Sequence, residues 1–386
     1  MSDIDFATEE LKDLHEVLAE LGSRDIASRI LFAGKSIWLI TGYDAVRQLM
    51  ADDSQLSAPA AYDDLLKPSM GEVLATMTGA KHRRNRKLVA GVFFPKKMAE
   101  LAERVFRKEA LLLTESLRGR TSVDLVQDYT RPYTFNNITR LLGLPREDAP
   151  LLEGWASRIM HSFIDLPAAI AAKEEMGEYL LPLVSARRLH PEDDVISLLV
   201  GIDIDGDRLS DDEVFAFCRN LFPAAIDTST NSLGSLLAVV LESPRLKRLA
   251  LDSEAERAAI IEELLRWEPP LVMVPRTCVN QITLGGCKIE PGEDVRLCIS
   301  AANNDPGRFP NPREFDHERS FNQHITFGHG EHFCLGTHMA RRVLDTGLTV
   351  LLEQFPEIAL DSDAEVEITG GVLRGPRCVQ AVLNES

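Results

Sequence analysis

The sequence has no CxxC pair: its six cysteines, Cys218, Cys278, Cys287, Cys298, Cys334 and Cys378, are scattered through 386 residues. Such spacing offers neither a two-knuckle zinc module nor a disulfide framework, so the cysteines read as thiols, most of them small core residues. No run approaches the roughly 20 apolar residues that a membrane-spanning helix requires. The start, "MSDIDFATEELKDL", lacks the basic and apolar regions of a secretory signal, and a cytoplasmic location is expected. Basic residues are the scarcer charge, 42 Lys and Arg against 60 Asp and Glu for a net charge of −18. That balance argues against affinity built on neutralising nucleic-acid phosphates or an anionic membrane surface. Internal repeats, low-complexity tracts and Gly/Ser/Pro linkers are also missing.

What is there is an ordinary globular composition, 45% hydrophobic and 26% charged, with ample material for a core. Helical periodicity dominates: "FATEELKDLHEVLAEL", "PKKMAELAERVFRKEALLLTESL" and "EAERAAIIEELLRWE" place apolar residues at i, i+3, i+4 and i+7. Ser210 and Glu213 have the spacing of a capping box and open the longest predicted helix, which runs to Glu242 and would be about 50 Å long. Short strands are predicted at "SIWLIT" and within "RTCVNQITLGGCKIEPGEDVRLCIS", where Gly-Gly and Pro-Gly mark turns. The expectation is a mainly α protein with a small antiparallel β region, one domain over residues 1–386 whose N-terminal ~30 residues form a leading helix.

The densest chemistry lies in "FGHGEHFCLG", Phe327 to Gly336. His329, His332, Cys334 and His338 are all potential zinc ligands, but structural zinc sites pair ligands in two separated knuckles and the second is absent. A buried core thiol among loop histidines is the plainer alternative. A third reading rests on the glycines. Gly328 and Gly330 permit a tight turn before the cysteine, and Gly336 permits close approach of something flat just after it. "LGTHMARRVLDTGLTVLLEQF" then has helical periodicity, which puts Cys334 at a helix N-terminus, where backbone N–H groups favour thiolate.

The stretch resembles the haem-binding signature of the cytochrome P450 haem-thiolate monooxygenases, with Phe327, Gly328, Cys334 and Gly336 in matching places. Further segments resemble the same family in the same order, from about residue 35 onward. "EELLRW" matches its ExxR pair as Glu263 and Arg266, closed by Arg319 in "FDHERSFN". "LFPAAIDTSTNSLG" matches its oxygen-binding segment, with Ala225 where glycine is usual. "KHRRNRK" offers His82 and Arg86 as a propionate pair, joined by Arg276 and His332.

The resemblance implies a helical bundle around buried haem b, with Cys334 as the only protein ligand of iron and Ala224 against the haem face. Glu263, Arg266 and Arg319 would be a structural triad that braces the cysteine loop. Asp227 would be the acid and Thr228 the hydroxyl of a proton relay. Because Pro223 removes a backbone donor, a local bulge or kink is expected beside that pair. Substrate contacts would come from Ile226, Leu271, Val272, Met273, Val274 and Leu373, none of which carries a charge, so a hydrophobic terpenoid, steroid or polyketide-like molecule is expected. The implied reaction consumes O2 and two electrons, drawn from NAD(P)H through partners. A ferredoxin or flavodoxin-like donor would dock on a basic proximal face formed by Arg83, Arg84, Lys87, Arg341 and Arg342. A peroxide-driven member of the family and a non-catalytic haem sensor are the alternatives.

Overall fold

The computed structural model of the chain describes residues 4–383 apart from His161, Phe163 and Ile164. Helices build the body and strands collect at one side. The capping box forms as the sequence requires: Ser210 Oγ accepts the Glu213 amide at 3.1 Å and the Glu213 carboxylate accepts the Ser210 amide at 2.9 Å. From there the helix Asp211–Glu242 runs unbroken. Phe222, Leu233, Leu236, Leu237 and Val240 along it are wholly buried, so this long helix is the strut of the main hydrophobic core. Its length and composition would suit a membrane span, yet 72% of its most apolar window is buried inside the protein.

The leading helix is shorter than the periodicity suggests. It spans Leu14–Arg24, and residues 27–32 already form the first strand. Ahead of the helix, Asp5 accepts the backbone amides of Ala7, Ala33 and Gly34, while Phe6 and Leu11 tuck beneath the sheet. A side chain that satisfies three amides competes successfully with the helical ladder. The segment from Pro95 to Leu117 is helical as expected, with a wide π turn at Ala102–Phe106.

Five strands form the main sheet, in the order Ala27–Phe32, Lys35–Ile40, Asp294–Cys298, Met273–Cys278, Leu56–Ser57. The second and third run parallel, with Trp38 opposite Val295, so the sheet is mixed where an antiparallel one was expected. Alternation along a strand carries no information about the direction of a partner distant in sequence. Ile282–Leu284 and Cys287–Ile289 form a separate hairpin, and Gly285 and Gly286 (φ +55° and +82°) supply the left-handed turn that a two-residue loop demands.

Candidate active site

The cysteine loop is shaped by its glycines. Gly328 and Gly330 have φ of +75° and +79°, and a Cβ on Gly330 would lie 2.7 Å from the Met50 carbonyl oxygen, so the loop packs directly on the backbone of the helix Tyr43–Ala51. The Cys334 amide donates to the Phe327 carbonyl at 2.8 Å and Gly328 N–H to Ile325 at 2.9 Å. Gly336 caps the helix Thr337–Gln354, which puts Cys334 two residues before the helix cap. Burial pushes the Cys334 thiol up, while the Gly336 amide, Arg86 and Arg341 pull it back. The side chain is nonetheless surface-accessible. His329, His332, Cys334 and His338 do not converge; among the described residues no three of His, Cys, Asp and Glu are placed to share one metal ion.

Behind the loop, Glu263 and Arg266 are both completely buried and joined at 2.7 and 2.8 Å. Arg319 Nε lies 3.4 Å from Glu263, whose carboxylate also accepts the Asp316 amide and the Asn322 side-chain amide. Arg266 donates onward to the Asn303 carbonyl at 2.9 Å. The neighbouring Glu262 has its own task. It takes Arg341 at 2.8 Å and His324 at 3.2 Å; burial pushes its carboxyl up, but those two bonds outweigh it and hold the group at about 2. Arg341 also lies over the Phe327 ring at 4.6 Å, and Thr326 donates to the Leu265 carbonyl at 2.6 Å. The helix Glu254–Trp267 therefore grips the cysteine loop through several bonds, of which the sequence disclosed only the Glu263–Arg266 pair and its contact with Arg319.

A ring of basic groups stands on the other side. His82 and Arg86 share one face of the helix Gly79–Ala90; Arg86 donates to the Phe333 carbonyl at 2.6 Å and so touches the cysteine loop. The His82 ring is 4.7 Å from that of His332, and neither of its buried nitrogens has a hydrogen-bond partner. Its Nδ1 lies 3.3 Å from Glu331 without the alignment of a bond. Burial and the nearby His332 lower the His82 pKa. His332 is held by Asp53 at 2.7 Å, a contact with no sequence signal because the two are far apart along the chain. Arg276 is buried, and its Nε lacks a partner.

On the long helix, Ala224 is exposed although Pro223 and Ala225 on either side are buried, so it too faces open space. Thr228 is half-buried and donates to the Ala224 carbonyl at 2.9 Å. The expected bulge is absent: the helix is continuous through Pro223. Asp227 lines a cleft of about 540 Å³ with Thr230, Asn231, Gln127 and Leu373. Of the expected substrate contacts, Leu271 and Val274 are half-buried, and Leu271 is bridged to Leu373. Val272, Met273 and Ile226 differ. The first two pack with Phe6, Leu11 and Leu14 beneath the sheet and the third belongs to the main core, so packing has claimed them.

A family model described as "Cytochrome P450" matches residues 257–378. The mycinamicin IV hydroxylase/epoxidase of Micromonospora griseorubida is 31% identical over 351 residues, 89% of this chain and 88% of that protein. The chain belongs to the cytochrome P450 family. A vitamin D(3) 25-hydroxylase of Pseudonocardia autotrophica is likewise 31% identical, over 90% of this chain and 87% of that one. The solved structure of the bacillaene polyketide synthase cytochrome P450 PksS of Bacillus subtilis 168 superposes with a TM-score of 0.88 at 28% identity, covering 97% of each chain. The mainly α architecture is thus the cytochrome P450 fold. This cytochrome P450 is an oxidoreductase of monooxygenase type that works with haem iron and O2. Its unpartnered groups fit that cofactor: His82, whose neutral ring has one N–H to give, and the Arg276 Nε are buried without acceptors, as porphyrin carboxylates require, and the Cys334 side chain is accessible.

Proposed function

We propose that this cytochrome P450 inserts one oxygen atom of O2 into a hydrophobic small molecule, a terpenoid, steroid or polyketide-like compound, on haem b held by Cys334. The observation that carries this reading is an accessible cysteine just ahead of a helix, on a loop backed by the buried Glu263–Arg266 pair. Bound haem supplies oxygen activation, and thiolate donation favours O–O cleavage. His82, Arg86, Arg276 and His332 would hold its carboxylates; Phe327, Gly328, Gly336 and Ala224 would bound its faces. Arg319 completes the brace around Glu263.

Proton delivery falls to Asp227 and Thr228. The Thr228 proton is directed at the Ala224 carbonyl, which leaves its oxygen lone pairs free to accept a proton donor. Asp227, one residue earlier, lines the polar cleft and so has access to water. An acid with access to water next to an alcohol is a suitable route for proton delivery. The half-buried Leu271, Val274 and bridged Leu373 supply apolar contact.

Electrons would come from NAD(P)H through a ferredoxin or flavodoxin-like donor. The face around the helix Gly79–Ala90 supports this, since Arg86 there touches the cysteine loop and Arg83 and Lys87 are strongly exposed. Two of the expected basic groups are already engaged: Arg84 is held by Glu213 at 2.6 Å and Asp207 at 2.8 Å, and Arg341 by Glu262. Arg342 stays near Asp345 at 3.6 Å. The docking charge thus narrows to Arg83, Lys87 and Arg342, whose contacts to Glu331 at 3.6 Å, Asp205 at 3.8 Å and Asp345 are loose, together with the exposed Lys96. A cytoplasmic setting belongs to the same reading, in keeping with six free thiols among the described residues. The test is the reduced carbon-monoxide spectrum, followed by a screen of apolar compounds for a low-spin to high-spin shift. A preparation that carries zinc and no haem would end this reading.

A further inference from the structure

Five arginines are buried among the described residues: Arg219, Arg266, Arg276, Arg296 and Arg374. Arg266 and Arg374 are bonded to the buried carboxylates of Glu263 and Glu268. Arg276 has a candidate partner in the haem carboxylates and senses Asp53; Arg296 senses Asp294 and Tyr62. Arg219 alone has no acidic group acting on it. It is 5% exposed and lies over the Phe215 ring at 4.7 Å. One Nη donates to the Met70 carbonyl, and its Nε donates to nothing. Burial is the one influence on its guanidinium, which drops to about 10. A cation taken out of water without a counter-charge is among the costliest arrangements in a protein, and an anion brought to it would offset that cost.

The location suits a ligand. Arg219 sits on the long helix one turn before Pro223, on the same stripe, and about 7.5 Å along the axis from the exposed Ala224, which lies roughly 140° further round the helix. Pro223 has no N–H to give to the Arg219 carbonyl, so the turn between them is the least constrained in the helix. The guanidinium reaches the short helix Lys67–Met70 and Gly71, where φ is +64° and any Cβ would come within 3.0 Å of Nη2. That contact leaves the backbone of this segment as the wall beside the charge.

We propose that Arg219 is the anchor for a carboxylate at the far end of the substrate, so that the enzyme oxidises an amphipathic organic acid at a carbon remote from that carboxylate. This rests on the monooxygenase reading above and narrows it: an apolar body reaches toward Ala224 and Cys334 while a fixed negative charge stays at Arg219. A charge-assisted bond of this kind contributes about 10- to 100-fold in affinity.

The holoenzyme is titrated with dodecanoic acid and with methyl dodecanoate at neutral pH, reading the high-spin shift, for the natural protein, Arg219→Met and Arg219→Lys. Dodecanoate should bind the natural enzyme at least about 10-fold more tightly than its ester. Arg219→Met should erase that preference while leaving the ester's affinity within about twofold, and Arg219→Lys should keep part of it. A purely structural Arg219 would change both ligands alike. Equal responses to acid and ester in the natural enzyme, including none to either, overturn the proposal, and that comparison stands even where Arg219→Met fails to fold. The carbon-monoxide spectrum of the same samples separates the two readings: a normal thiolate band without acid preference sinks the anchor alone, and absence of the band sinks the monooxygenase reading beneath it.

Discussion

At the residue scale, the site depends on a few atoms with one chemical task each. Cys334→Ser should abolish the red-shifted band of the reduced carbon-monoxide complex; retention of that band would place the iron ligand elsewhere. Asp227→Asn keeps the shape of the side chain and removes its acidity, so turnover should fall about 100-fold with substrate binding unchanged. Thr228→Ala should raise peroxide release per electron consumed, read as the ratio of product to NAD(P)H oxidised. Unaltered coupling would mean that the hydroxyl bonded to the Ala224 carbonyl is a helix ornament and not a relay. The residues that anchor these groups were legible unevenly. Cys334, Glu263 and Arg266 announce themselves by spacing, whereas Asp53 under His332 and Asn322 on Glu263 are ordinary polar residues until the chain folds.

At the element scale, the helix Glu254–Trp267 acts as the clamp of the cysteine loop. Its Glu263 serves three residues besides Arg266, so Glu263→Ala leaves a buried guanidinium uncompensated and should cost about 3–5 kcal/mol, measured by urea unfolding, with haem loss in step. Stability within about 1 kcal/mol of the natural protein would show that the pair is dispensable. The long helix teaches a different lesson. Its ends were readable because a capping box is a local bond pattern, but the expected bulge at Pro223 does not form. A missing donor loosens one turn; whether that turn opens depends on packing, and here Phe222, Ala225 and Ile226 are held in the core.

At the scale of the whole molecule, charge is arranged more tightly than its net value suggests. Glu268 is buried between the N-terminal helix, through His15 at 2.8 Å, and the C-terminal segment, through Arg374 at 2.7 Å. Burial pushes its carboxyl up, but His15, Arg374 and Arg313 outweigh that and hold it at about 2. Because this pKa lies below the ordinary value of about 4.5, its contribution is complete above pH 4.5 and is lost as pH falls toward 2, roughly 3 kcal/mol in all. The urea midpoint should therefore decline from pH 5 to pH 3, and Glu268→Gln should be less stable at pH 7 with a flatter profile; parallel profiles would refute the assignment. For the proximal face, Arg83→Glu with Lys87→Glu should slow reduction by a ferredoxin and weaken its salt dependence. Arg84→Glu should instead lower the melting temperature, since that guanidinium is bonded within the chain.

What the sequence determined by itself is whatever short-range chemistry encodes: the helix starts, the glycine hinges of the cysteine loop, the ExxR spacing and the position of Cys334 just ahead of a helix. Tertiary structure alone decided which charges meet. It spent Arg84 and Arg341 on internal carboxylates, turned Val272 and Met273 away under the sheet, ran one strand pair parallel and left Arg219 buried without an acid. Local patterns fix where a chain bends and which face is apolar. The partner of a buried charge is a contact between distant segments, and desolvation acts only once those segments have closed around it.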